Sequence, residues 1–219
     1  MSRAILKKDM VFSQSCAKLD ASAESFFCVL NKMQIENAAC RNRHLRDDNG
    51  KGVVNPLHSD QYAKLMYMFA RKLFLEDGDR RLPDQIFFSI RSRAALDLYY
   101  EVEIPDFFYP LHSMSTVLGR AKYGRFFVVR QGCTVGNNHG EYPKFGEGVV
   151  MRAHSKVVGN SKIGDNVQLA IGALVIDQEI PPNSIVFGTP KNQVIKPNPM
   201  RNIDFFFPHI GGQTDTAHE

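Results

Sequence analysis

Apolar residues recur at steps of six through the second half of the chain. The first run is Leu111, Val117, Tyr123, Val129 and Val135. After a ten-residue interval the phase resumes at Phe145, Met151, Val157, Ile163, Leu169 and Val175. Four places after most of these stand Ser115, Ala121, Phe127, Cys133, Val149, Ser155, Ser161, Val167 and Ala173, all small except Phe127. With 43% of the chain apolar, eleven hits in one phase have a chance probability on the order of 10⁻⁴. The period is therefore a structural signal.

A step of six matches neither a helix face nor ordinary strand alternation. It predicts a β-solenoid in which each hexad is a short strand plus a turn, and three hexads close a triangular coil. The large residue fills the prism corner, and the small one sits where the turn is tight. Gly119, Gly124, Gly136, Gly146, Gly164 and the pair Asp165–Asn166 fall near the turns, where left-handed backbone costs these residues least. The hexads amount to three or four coils stacked at roughly 4.8 Å. The solenoid is expected from about Val102 to Val186. Ile180-Pro181-Pro182-Asn183 ends its register, because proline cannot donate to a ladder.

The first hundred residues carry a different pattern. Met1 to about Asp20 reads as an irregular arm. Ala21–Cys40 has Phe26, Phe27, Leu30, Met33 and Ile35 at roughly helical spacing. His58–Leu75 predicts a firmer helix, with Ser59 or Asp60 as its cap and Tyr62, Leu65, Met66, Met68, Phe69 and Leu73 on one face. Pro83–Tyr100 reads as another helix. The expected organisation is a mainly helical region over 1–101, the solenoid over 102–197 and a tail over 198–219. The tail's Phe205-Phe206-Phe207 must cover the end of the solenoid, the helices or a neighbouring subunit.

Composition narrows the partners. The formal charge is +4, and the basic residues are scattered, with local density at Arg41–Arg46 and Arg91–Arg93. That reads as a solvated surface rather than a nucleic-acid patch. No stretch approaches the roughly 20 apolar residues of a membrane span, and Met1–Met10 lacks the apolar core of a signal peptide. Cys16, Cys28, Cys40 and Cys133 show no metal-ligand spacing, and no metal is expected. Cys133 reads as a buried thiol. A reduced, cytoplasmic protein is the expectation.

The hexads, the ending IPPNSIVFGTPKNQVIKP and the segment VEIP…PLHSMSTVLG resemble the hexapeptide-repeat acyltransferases. The closest branch is the serine acetyltransferases and their relatives that O-acetylate sugars. The resemblance covers about Val102–Lys196. It implies a left-handed parallel β-helix, acetyl-CoA as cosubstrate and a homotrimer with active sites between adjacent prisms. It also implies transfer of acetyl to a hydroxyl, which needs a base to take the proton as oxygen attacks the thioester. Histidine suits that role at neutral pH, and His112 falls at the family's position. Val102-Glu103-Ile104 matches the family's Val-Asp-Ile, so Glu103 is one candidate acid partner. Its interval to His112 is one hexad shorter than in the family, which leaves Asp106 as a rival and, as a third alternative, neither of the two.

The phase break at Asn137–Lys144 (NNHGEYPK) matches a loop with which the family walls its active site. The serine enzymes carry Arg-His-Pro-Lys there, and this chain has Glu141-Tyr142-Pro143-Lys144. Tyr142 stands at the acceptor-contacting histidine, and His139 is a possible substitute. His154 reads as a solvent-facing turn residue. Ala153, Gly159, Ala170 and Gly172 match the small positions flanking the family's pantetheine groove, and Lys191 and Lys196 are placed to meet phosphates as point charges. The resemblance implies a small hydroxyl compound as acceptor, either serine or a sugar or polysaccharide precursor. The competing reading is a non-catalytic solenoid that keeps the prism and has lost the chemistry.

Overall fold

In the computed structural model, which describes residues 22–210, three helices lead into a parallel β-solenoid. The arm expected over Met1–Asp20 lies outside the described residues. Helix α1 (Ala23–Ala39) packs on α2 (Ser59–Asp77), and α2 packs on α3 (Arg81–Ala94). Tyr62, Leu65, Met66, Phe69 and Leu73 of α2 are buried, as their helical spacing requires. A buried ion pair, Glu36 with Lys64 at 2.7 Å, joins α1 to α2.

Helix α3 ends six residues before the expected Tyr100. Ala95 turns left-handed (φ 50°), and Leu96–Asp97 pairs in parallel with Thr116–Val117. Beyond Ala95 the buried residues are Leu96, Leu98 and Tyr100. That alternation is the period of an extended chain rather than of a helix. Nor does either expected cap bond the start of α2: no side chain caps that end, and Asp60 is engaged elsewhere.

Strand β1 (Leu96–Asp97) precedes the first coil, which holds β2 (Tyr109–Pro110) and β3 (Thr116–Leu118). The second coil holds β4 (Val128–Val129), β5 (Thr134–Gly136) and β6 (Lys144–Phe145). The third holds β7 (Val150–Met151), β8 (Lys156–Val158) and β9 (Lys162–Ile163). The fourth holds β10 (Gln168–Leu169), β11 (Leu174–Ile176) and β12 (Glu179–Ile180). Strand β13 (Ser184–Phe187) opens a further coil, and β14 (Val194–Pro197) folds back antiparallel upon it. Face A stacks β2-β4-β7-β10-β13 with β14 at its edge, face B stacks β1-β3-β5-β8-β11, and face C stacks β6-β9-β12.

The six-residue phase fills the prism through most of its height. Val129, Val135, Phe145, Met151, Val157, Ile163, Leu169 and Val175 are all buried. Tyr123 lays its ring on Phe145 at 5.3 Å between centroids. The first coil departs from the phase. Pro110 pairs with Val129 and Leu118 with Val135, so Pro110 and Leu118 take the inward register. Leu111 is half-buried, and Val117 is 41% exposed. Likewise Ser115 is exposed, while Ser113 and Thr116 are buried. A slip of one residue sends a strand side chain to the opposite face. The slip arises because the corner between Pro110 and Leu118 bulges to meet helix α2.

The tail covers face A. A short helix, α4 (Asn202–Phe206), sets Phe206 and Phe207 against Tyr109, Phe126, Val128 and Val150. Asn202 donates to the Gly148 carbonyl at 2.8 Å and accepts from Gln168 at 2.7 Å. The Arg41 amide donates to the Phe206 carbonyl at 2.9 Å, which ties the same segment to the end of α1. Phe207 is 2% exposed. Phe207→Ala is therefore expected to cost about 3–5 kcal/mol, read as a lower urea midpoint with an unchanged slope.

Candidate active site

His112 stands at the corner where face A passes into face B. Its backbone is left-handed (φ 54°), a region that non-glycine residues adopt only when the surroundings hold them there. The holding group is Asp60, in the first turn of α2 and 5% exposed. Its Oδ2 accepts from the His112 amide at 2.7 Å. Its Oδ1 accepts from the Ser113 amide and the Ser113 hydroxyl, each at 2.8 Å. Three donors on two oxygens satisfy this buried carboxylate, with no cationic partner among the described residues.

Beside this clamp lies a cavity of about 320 Å³, lined among others by Asn42, His44, His58, Asp60, Tyr109 and His112. Asn42 donates to the Tyr109 hydroxyl at 3.1 Å. Burial pushes the Tyr109 phenol up to about 12, against the opposing effect of that hydrogen bond. Tyr109 is thus a neutral hydroxyl at the cavity wall. Hydroxyl, amide and imidazole groups on a cavity of this size suit a small polar ligand.

The two carboxylates read as partners of His112 are engaged elsewhere. Glu103 faces Arg71 at 3.6 Å and is 79% exposed. Asp106 pairs with Lys32 at 2.5 Å. The carboxylate that reaches the His112 segment is Asp60, 52 residues away in sequence. The signal available for it was its place in the first turn of α2, which read only as a cap.

His139 and Tyr142 lie at a different corner, where face B passes into face C. Asn138 and Glu141 exchange backbone hydrogen bonds at 3.1 and 3.0 Å across a two-residue turn. His139 (φ 50°) and Gly140 (φ 85°) occupy the turn, and two positive φ values define the tight hairpin type that glycine favours at its second position. His139 is exposed at the tip, and Tyr142 is half-buried. Within one chain the fold does not bring this loop to His112.

The residues read as the pantetheine groove divide between the two corners. Ala153, Ala170 and Gly172 occupy successive coils at the His112 corner, with the Gly172 amide on the Ala153 carbonyl at 3.0 Å. Gly159 lies at the loop corner, where an added Cβ would stand 2.0 Å from Asp177 Oδ1. Its smallness there is a packing requirement of the turn. His154 is exposed and left-handed (φ 62°), with its ring against Gly132. Lys191 and Lys196 are exposed near β13 and β14, and Lys196 Nζ lies 5.8 Å from the Phe187 ring centroid. Cys133 is buried and burial raises its thiol pKa, so it is poorly suited to act as a nucleophile.

The fold defines a class: a helical layer followed by a hexad-repeat parallel β-solenoid. The proteins it resembles are serine acetyltransferases. A serine acetyltransferase from Arabidopsis thaliana is 30% identical over 140 residues, which is 61% of this chain and 43% of that protein. The solved structure of a Neisseria gonorrhoeae serine acetyltransferase in complex with serine superposes with a TM-score of 0.64 at 20% identity, covering 88% of this chain and 80% of that one. A serine acetyltransferase solved in complex with CoA gives 0.66 at 18% identity, covering 84% and 75%. No family model matches the chain. The chain spans less than half the length of the curated relatives it matches. The shared architecture agrees with the resemblance read from the hexads.

Proposed function

We propose that this protein is an acetyl-CoA-dependent O-acetyltransferase and that His112 is its general base. The observation that carries the proposal is the His112–Asp60 clamp beside a small polar cavity, on a fold shared with serine acetyltransferases. The acceptor hydroxyl gives its proton to the imidazole as its oxygen attacks the thioester carbonyl carbon. The tetrahedral intermediate collapses by breaking the carbon–sulfur bond, and the CoA thiolate leaves with the proton from the imidazolium. The acetyl donor is assigned to the His112 corner, along the small residues Ala153, Ala170 and Gly172. Gly159 belongs to the loop corner, whereas Lys191 and Lys196 lie beside β13 at the edge of the His112 corner. The acceptor, a serine-like or sugar hydroxyl compound, is assigned to the cavity lined by Asn42, His44 and Tyr109.

A homotrimer is part of the proposal, because the loop bearing His139 and Tyr142 reaches a His112 corner only from another copy. Met114, Val117, Ile171 and Phe187 support it as exposed apolar side chains on or beside the His112 corner. Light scattering should give three times the chain mass. A monomer would remove the loop from the site.

The test of function is thiol release from acetyl-CoA with a panel of amino acids and sugars. Acceptor-dependent release is expected. The scaffold reading draws on the two displaced carboxylates, Glu103 and Asp106, and it prevails if no acceptor elicits release and CoA does not bind.

A further inference from the structure

Two arginines on the His112 corner have no place in the scheme above. Arg130 follows β4 and Arg152 follows β7, and these strands pair Val129 with Met151. The two residues therefore stack in consecutive coils, roughly 4.8 Å apart along the prism. Leu111, next to His112, occupies the coil above, with its amide on the Val129 carbonyl. Arg130 also acts electrostatically on Tyr109, which lines the His112 cavity.

Both arginines are half-buried. Among the described residues neither makes an ion pair with an acid. Arg152 is held in place: Gln168 Oε1 accepts from its Nε at 3.2 Å and from a terminal nitrogen at 2.8 Å, and its guanidinium lies 5.6 Å from the Phe206 ring centroid. Among the described residues Arg130 Nε is buried without an acceptor, and Oε1 of the adjacent Gln131 is buried without a donor. Burial first, and the Arg130 charge second, hold the Arg152 guanidinium below its ordinary pKa. Two partly desolvated like charges side by side are unfavourable unless an anion joins them. Asp60, a carboxylate of this corner, is already committed to His112 and Ser113. Guanidinium forks match the paired oxygens of carboxylate and phosphate.

We infer that Arg130 and Arg152 form an oxyanion site that holds a carboxylate or phosphate group of a substrate bound beside His112. The assignment to a substrate rests on the acetyl-transfer reading, but anion binding itself does not. The oxyanion has two sources, a charged group on the acceptor or a phosphate of the acetyl donor.

The experiment is calorimetric titration of the full chain with inorganic phosphate, and separately with CoA, for wild type, Arg130→Gln, Arg152→Gln and Arg130→Lys. Phosphate is expected to bind wild type and to lose at least about tenfold in affinity in both glutamine variants. The lysine variant keeps the charge without the fork and should fall between. Circular dichroism confirms that each variant is folded. If CoA affinity falls in parallel, the oxyanion belongs to the donor. If CoA affinity is unchanged while the KM for the acceptor rises tenfold or more, it belongs to the acceptor. Equal phosphate affinity in all four proteins overturns the site. So does a wild type that binds no phosphate while CoA affinity and acceptor KM stay constant across the variants. Phosphate binding in a protein without transferase activity overturns the acetyl-transfer reading and leaves the site standing.

Discussion

Replacing His112 with alanine is expected to lower acetyl transfer by about 10²–10⁴-fold, the range ascribed to a positioned general base. The loss should appear in kcat, because a general base takes the acceptor's proton only as the bond to carbon forms. CoA affinity should hold within about twofold, since binding that does not change between ground and transition state appears in KM rather than in the rate. Folding should also hold, because the His112 side chain is exposed and the clamp engages its backbone amide rather than its ring. The decisive measurement is single-turnover thiol release at saturating acetyl-CoA. Release that depends on an acceptor but proceeds at the wild-type rate in His112→Ala would end the assignment of the base while leaving the reaction class intact.

The second large effect is expected at Asp60. Both of its oxygens accept hydrogen bonds, from the His112 amide on one side and from the Ser113 amide and hydroxyl on the other. Asparagine has one accepting oxygen, so in Asp60→Asn an amide N–H must face an N–H donor. A buried group left without its partner costs about 1–3 kcal/mol. The left-handed backbone at His112 then loses the contact that enforces it. A displacement of about 1 Å in a catalytic group can cost on the order of 10²-fold in rate. Asp60→Asn should therefore lose both stability and kcat. Ser113→Ala is the control. It removes one hydroxyl donor and leaves both amide bonds, so it should lower the melting temperature slightly and leave kcat within about threefold. If Asp60→Asn loses stability yet retains kcat at a temperature where it is folded, Asp60 is only a structural carboxylate and does not position His112.

The hexad phase carried the solenoid without help from three dimensions. Residues such as Met151, Val157 and Ile163 repeat because each coil presents the same corner to the same interior, so one local rule is written many times. That repetition is legible in one dimension. The first coil breaks the rule because it does two jobs. It caps the prism and receives helix α2, and the bulge from Leu111 to Ser115 answers to Asp60 rather than to the coil beneath. Nothing within six residues of Leu111 announces that slip. The helical stripe of α2 was legible for the same reason as the hexads. The early end of α3 was not, because Leu96 and Leu98 fit either element until β3 is in place to pair with them.

The candidate site divides along the same line. The sequence singled out His112 through its resemblance to the acyltransferase family, and the loop from Asn137 to Lys144 and the small residues of the turns because each departs from or punctuates a period. It also settled that the second half of the chain is a stack of short strands, because only a repeating coil gives one side chain the same environment every sixth residue. Tertiary structure alone decided which carboxylate meets the His112 segment, that Glu103 and Asp106 pair elsewhere, that Phe206 and Phe207 seal face A, and that Arg130 and Arg152 stand together. Those contacts join positions separated by more than 30 residues or by whole coils. Their partners are fixed by how the layers dock, and docking leaves no periodic trace in the order of the amino acids.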